Sequence, residues 1–136
     1  MIAELRAQIE RLDLERDRSF DEMLDEFLAR EFNGCGPDWL PAALRKKLSR
    51  ELGRFMAAFL IHDHDFTNSD GTWASFCLAN ARLLRNCVKI VKAEVHWIRF
   101  WKRIQLMAAC REIWFACQAA GWKGYVACAK RRGVAA

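Results

Sequence analysis

The chain has 136 residues, 53% hydrophobic and 29% charged, with only two prolines and seven glycines. That length closes one modest core, the apolar fraction excludes a disordered chain, and the scarcity of breakers favours long helices over many short strands. Charge is divided unevenly: residues 1–31 hold 5 Lys and Arg against 10 Asp and Glu (net −5), and the other 105 hold 17 against 7 (net +10). A basic body suits an anionic partner, whether a membrane surface, a nucleic acid or an acidic protein.

Glu4, Arg6 and Glu10 interrupt the start before an apolar signal segment can form. Residues 104–120 contain Gln105, Arg111, Glu112 and Gln118, so this apolar stretch is not expected to span a membrane. The expected location is the cytoplasm in which the chain is made, with peripheral association at membranes. Six cysteines stand at 35, 77, 87, 110, 117 and 128, with no CxxC pair for zinc. Spacings of seven (110 to 117) and eleven (117 to 128) put each pair on one helical face, as expected for reduced, buried cysteines.

Residues 1–31 read as an acidic amphipathic segment of one helix or two. Ile2, Leu5, Ile9 and Leu12, then Phe20, Leu24, Phe27 and Leu28, fall at helical spacing. Its apolar face packs on the rest of the chain, on a second copy or on a protein partner. Asn33, Gly34, Cys35, Gly36 and Pro37 then describe a tight loop, with Asp38 as N-cap of the next helix and Pro41 in its first turn. That helix covers 39–66. Its apolar stripe is Leu48, Leu52, Phe55, Phe59, His62 and Phe66, in steps of three and four. The stripe buries His62 with Asp63 at its border and turns His64 to solvent, given about 100° per residue. Arg45, Lys46, Lys47, Arg50 and Arg54 form the outer face.

The polar stretch 67–71 is a turn, with Ser69 or Asp70 capping a third helix over 72–95. Asn80 is the one polar residue on its seam of Phe76, Leu83 or Leu84, Cys87 and Val91. A short turn makes the two helices antiparallel neighbours, which sets Asn80 opposite His62. From 95 onward two further helices are split near Gly121, with tryptophans at 97, 101, 114 and 122 and 8 Lys and Arg against Glu112 alone. Core packing is the first reading of those tryptophans and interfacial membrane contact the second. Nucleic-acid binding lacks a recognition motif. The whole is one all-α domain with an N-terminal segment (1–31), a core (32–95) and a basic tail (96–136).

A histidine and an aspartate on a buried seam need partners. Asn80 can hold one imidazole nitrogen and leave the other as a general base. Asp63 suits a hard cation, for which a glycine-rich loop can turn in its carbonyl oxygens. The run His62, Asp63, His64, Asp65 cannot close on one transition metal, because consecutive residues on a helix diverge. His96 has no ligand spacing, and no Ser/His/Asp order, phosphate loop or dinucleotide fingerprint is present.

Over residues 32–91 these motifs resemble the secreted-type phospholipase A2 family, most closely its compact viral and bacterial members. The family's calcium loop, aromatic-x-Gly-x-Gly, is matched by Phe32, Asn33, Gly34, Cys35 and Gly36, and its His-Asp-x-x-Tyr helix by His62, Asp63, His64, Asp65 and Phe66. The resemblance implies a phospholipase A2-like core of two antiparallel helices. It implies His62 as base on water and Ca2+ held by Asp63 with the carbonyls of Phe32, Gly34 and Gly36. The reaction implied is hydrolysis of the sn-2 ester of glycerophospholipids at anionic membranes, with Trp39 and Leu40 at the interfacial lip. The sequence departs from the family in having Phe66 for tyrosine, Asn33 for a loop half-cystine, no cysteines just before the histidine, and Asn80 for the orienting aspartate. An amide orients an imidazole without stabilising an imidazolium by charge. The alternative implied is therefore a catalytically silent lipid- or protein-binding module on the same scaffold.

Overall fold

A computed structural model describes residues 1–32, 42–48 and 51–133. Helix accounts for 82% of it and no strand occurs among the described residues, so the chain is all-α. In chain order the elements are α1 (Ile2–Arg11), α2 (Arg18–Glu22), α3 (Asp25–Glu31), α4 (Ala42–Leu48), a 3-10 turn (Leu52–Phe55), α5 (Met56–Thr67), α6 (Trp73–Glu94), a second 3-10 turn (Trp97–Arg99), α7 (Phe100–Ala120) and α8 (Trp122–Arg131).

The centre is α5. Nine of its twelve residues are buried, polar ones included, as expected of a helix enclosed on every side. It is walled by α1, α3, α6 and α8, while α7 packs along α6. The main core joins Ile9, Phe20 and Leu28 from the N-terminal helices to Phe55 and Phe59, Leu83 and Ile90 of α6, and Ile113 of α7. A smaller aromatic cluster of Phe66, Phe76 and Tyr125 closes the C-terminal end of α5.

The N-terminal segment is three helices rather than one or two, and its apolar face closes on the body of the chain. Asn86, buried on α6, pins the turn before α2: its Oδ1 accepts from Glu15 N at 2.7 Å and its Nδ2 donates to Glu15 O at 2.8 Å. Arg85 reinforces that clamp with two 2.7 Å bonds to the Glu15 carboxylate. The expected helix over 39–66 is not one element. A 3-10 turn lies between α4 and α5, tied to α7 by the ion pair of Glu51 with Lys102.

The connection from α5 to α6 is short, as expected, but its cap is Thr72 rather than Ser69 or Asp70: Thr72 Oγ1 accepts from Ser75 N. Asp70 braces the cap by accepting from Thr72 N at 2.9 Å. Gly71 supplies the φ of 79° that the turn requires. Two expectations for the tail change. Trp97 and Trp101 are 68% and 71% exposed, so they are not core residues. Cys117 and Cys128 fall on separate helices, because the chain breaks at Gly121. The described cysteines are all free, Cys35 lying outside the described residues. His96 is exposed and caps the second 3-10 turn, its Nδ1 accepting from Ile98 N. No described helix is long and apolar enough to cross a membrane.

Gly121 shows why this joint needs glycine. A Cβ there would stand 2.7 Å from the Cys117 carbonyl oxygen, with Phe76 and Phe66 ring carbons at 3.3 and 3.4 Å. The nearest atom is backbone and cannot swing aside. Gly121→Ala is therefore expected to destabilise the fold by about 1–3 kcal/mol. Thermal unfolding should show this as a Tm lower by roughly 4–12 °C.

Candidate functional site

His62 sits on α5 with 1% of its surface exposed. Its Nε2 lies 2.9 Å from Asn80 Oδ1 across the α5–α6 interface. The orientation of the amide follows from its other end, where Asn80 Nδ2 donates to Gln118 Oε1 on α7 at 3.0 Å. Gln118 Nε2 in turn meets Cys77 Sγ at 3.2 Å. Because Asn80 turns its oxygen to the ring, Nε2 carries the proton and Nδ1 keeps the lone pair. Burial pushes the imidazole down to about 4, against the smaller upward pull of the Asn80 bond, so the ring is neutral at physiological pH. Phe66 packs against it with ring centroids 4.3 Å apart.

Asp63, the next residue, is 8% exposed. After burial itself, its charge is the main influence raising the Cys117 thiol, which places the carboxylate's field toward α7. Phe32 caps the C-terminus of α3 and is buried, with its N–H bonded to Leu28 O at 2.9 Å. Gly34, Gly36, Trp39 and Leu40 lie outside the described residues. Among the described residues no group of three or more His, Cys, Asp or Glu side chains is arranged around a metal. A hard cation takes carboxylate and backbone carbonyl oxygens, and of the donors expected for one the described residues include Asp63 and Phe32.

The structure corrects the reading of His64. It does not face solvent: it is 1% exposed, because α2 and α3 cover that side of α5. Its Nδ1 lies 2.8 Å from Glu31 Oε2 and its Nε2 lies 3.0 Å from Ser19 Oγ. The Phe20 ring meets it edge-on at 5.5 Å. Asp65 takes a third direction, bonded to Arg82 Nη1 by both carboxylate oxygens at 2.8 and 3.0 Å. Burial pushes the Asp65 carboxyl up to about 6 against the pull of that guanidinium. His62, His64 and Asp65 thus diverge onto three separate sets of partners.

Beside His64 opens a cavity of about 420 Å³, lined among others by Ser19, His64, Asp65, Arg82, Tyr125 and Arg132. Gln118 and Ser19 escaped the sequence reading. Gln118 borders the α7 seam one position past buried Cys117 and could have been singled out as its polar neighbour. Nothing in the sequence aligns Ser19 with His64, 45 residues away. The chain matches no protein-family model, no curated protein and no solved structure among those compared with it.

Proposed function

We propose that the chain is a calcium-dependent, phospholipase A2-like hydrolase that cleaves the sn-2 ester of glycerophospholipids at anionic membranes. The observation that carries this reading is the ordered chain His62, Asn80, Gln118, which commits Nε2 to donation and leaves Nδ1 as a base. Nδ1 takes a proton from water as the water oxygen bonds to the ester carbonyl carbon. The tetrahedral intermediate expels the lysophospholipid alkoxide, which recovers the proton from His62. Asn80 holds the ring in the required tautomer throughout. Asp63, with the carbonyls of Phe32, Gly34 and Gly36, would hold the calcium, which when bound polarises the carbonyl and stabilises oxyanion charge. The net charge of +10 over residues 32–136 supports an anionic surface as partner, with Trp39 and Leu40 proposed as its lip.

The test is fatty-acid release from anionic vesicles carrying a labelled sn-2 chain, beside calorimetric calcium titration. Wild type should bind calcium weakly and release the sn-2 acid. Asp63→Asn should lose both, and His62→Gln should lose release alone, each keeping native helicity by circular dichroism. Calcium and vesicle binding without release would favour the silent binding module, in which an amide stands where a carboxylate is needed. Identical calcium binding by wild type and Asp63→Asn would overturn the loop assignment.

A further inference from the structure

We propose that Ser19, His64 and Glu31 form a second catalytic site, a serine-type esterase centre acting on small carboxylic esters through an acyl-Ser19 intermediate. It is separate from the site built on His62 and does not depend on it. The three residues come from α2, α5 and α3, and they meet in the order that nucleophilic catalysis requires: hydroxyl on Nε2 at 3.0 Å, carboxylate on Nδ1 at 2.8 Å. At Nδ1 the Glu31 carboxylate at 2.8 Å can only accept and Asn68 Nδ2 at 3.2 Å can only donate. The tautomer that satisfies the shorter contact carries its proton on Nδ1 and leaves Nε2 free to take the one on Ser19 Oγ.

A buried histidine needs partners on both nitrogens, and a hydroxyl and a carboxylate could satisfy it without any chemistry. Three further observations go beyond satisfaction. Ser19 is exposed while His64 is buried, and both line the same 420 Å³ cavity, so a ligand can reach the oxygen whose base is withdrawn from water. The base is held from several sides. Glu31 is 12% exposed, Asn68 Nδ2 donates to Glu31 Oε1 at 3.4 Å and to His64 O at 2.9 Å, and Phe20 packs edge-on to the imidazole. The nucleophile is held too, since Asp17 accepts Ser19 N at 2.9 Å in the α2 cap. Finally, Arg82 lines the cavity with a buried Nε–H that has no hydrogen-bond acceptor among the described residues, Glu15 Oε1 standing off at 3.9 Å. That Nε is itself enclosed, but the cationic guanidinium it belongs to lies on the cavity wall, where positive charge favours a developing oxyanion.

The chemistry balances without a co-reactant other than water. Ser19 Oγ bonds to the ester carbonyl carbon as its proton passes to His64 Nε2, with Glu31 stabilising the imidazolium. The intermediate breaks its bond to the alkoxy oxygen, which leaves with the proton from Nε2. Water then attacks acyl-Ser19, giving its proton to Nε2, and the acid departs as Ser19 Oγ is reprotonated. The cavity of about 420 Å³ has room for a short acyl group.

The test uses the full chain in a chelator, so that no calcium-dependent reaction contributes. A fluorophosphonate probe should phosphonylate Ser19 Oγ with loss of fluoride, seen as one adduct per chain by intact mass and mapped to Ser19 by peptide sequencing. p-Nitrophenyl acetate should give a burst of one equivalent of p-nitrophenolate. Ser19→Ala should abolish adduct and burst. Glu31→Gln, which retains an oxygen acceptor but not the charge, should slow labelling by about 10²-fold or more. No adduct on wild type, an adduct on another residue, or equal labelling rates in Glu31→Gln and wild type would each overturn the proposal. None of these results bears on sn-2 release, so the two sites fail or stand independently.

Discussion

Asn80→Asp is expected to raise His62-dependent ester hydrolysis by about tenfold or more. In the proposed reaction His62 is a poor base as it stands: burial holds it at about 4, and the amide opposite offers a dipole where the protonated ring needs a charge. A carboxylate at the same 2.9 Å would stabilise the imidazolium that forms as water is deprotonated, at about 1.4 kcal/mol for each pKa unit regained. Gln118 must then turn its amide to donate to the new oxygen, giving up its contact to Cys77 Sγ. The new charge is buried on α6, where Asn80 is fully enclosed, and it is tolerable only as a partner of protonated His62. Rates of sn-2 release at saturating calcium give the first reading, and NMR titration of the His62 ring should show its midpoint moving up from about 4. A variant that folds, keeps the ring near 4 and gains no rate would remove His62 as the base.

The second large effect is the pH dependence of stability, where two residues three apart on α5 oppose each other. His62 titrates near 6.5 unfolded and about 4 folded. Its neutral ring therefore contributes full stability above 6.5, and that contribution falls by about 3 kcal/mol as pH drops to 4. Asp65 titrates near 3.8 unfolded and about 6 folded. Its buried neutral acid favours the fold at low pH, so stability falls by about 3 kcal/mol as pH rises from 3.8 to 6. Between 4 and 6 these two slopes cancel, and the wild type should unfold in urea with nearly constant free energy from about 5 to 6. Asp65→Asn should expose the His62 slope, with stability lost on acidification, and His62→Gln should expose the opposite one. Glu15, Glu51, Asp17 and Asp70 all have folded carboxyls held low by hydrogen bonds, so their stabilisation is lost only as pH falls below about 4.5. A steep wild-type slope between 5 and 6 would contradict this balance.

Apolar steps of three and four in the sequence were enough to place α6 and the inward phase of His62, and local turn residues to place the break at Gly121 and the short turn before Trp73, because each depends on neighbours a few positions away. The pairing of His62 with Asn80 was legible for the same reason: a five-residue connection leaves two helices little choice but to run antiparallel. The direction of His64 was not. On an isolated α5 it is the outward residue, and only the packing of α2 and α3 across that side buries it against Glu31 and Ser19. The N-terminal segment read as one amphipathic helix or two, with its apolar face packed on the body, on a second copy or on a partner, because periodicity alone does not say which. Its first break, before α2, is pinned by Asn86, 71 residues away from Glu15, and at its second Arg6 donates to Met23 O. Periodicity reports which face of a helix is apolar. Which of its polar residues become enclosed depends on long-range packing, and at residues 62–65 that packing decides where each side chain finds its partner.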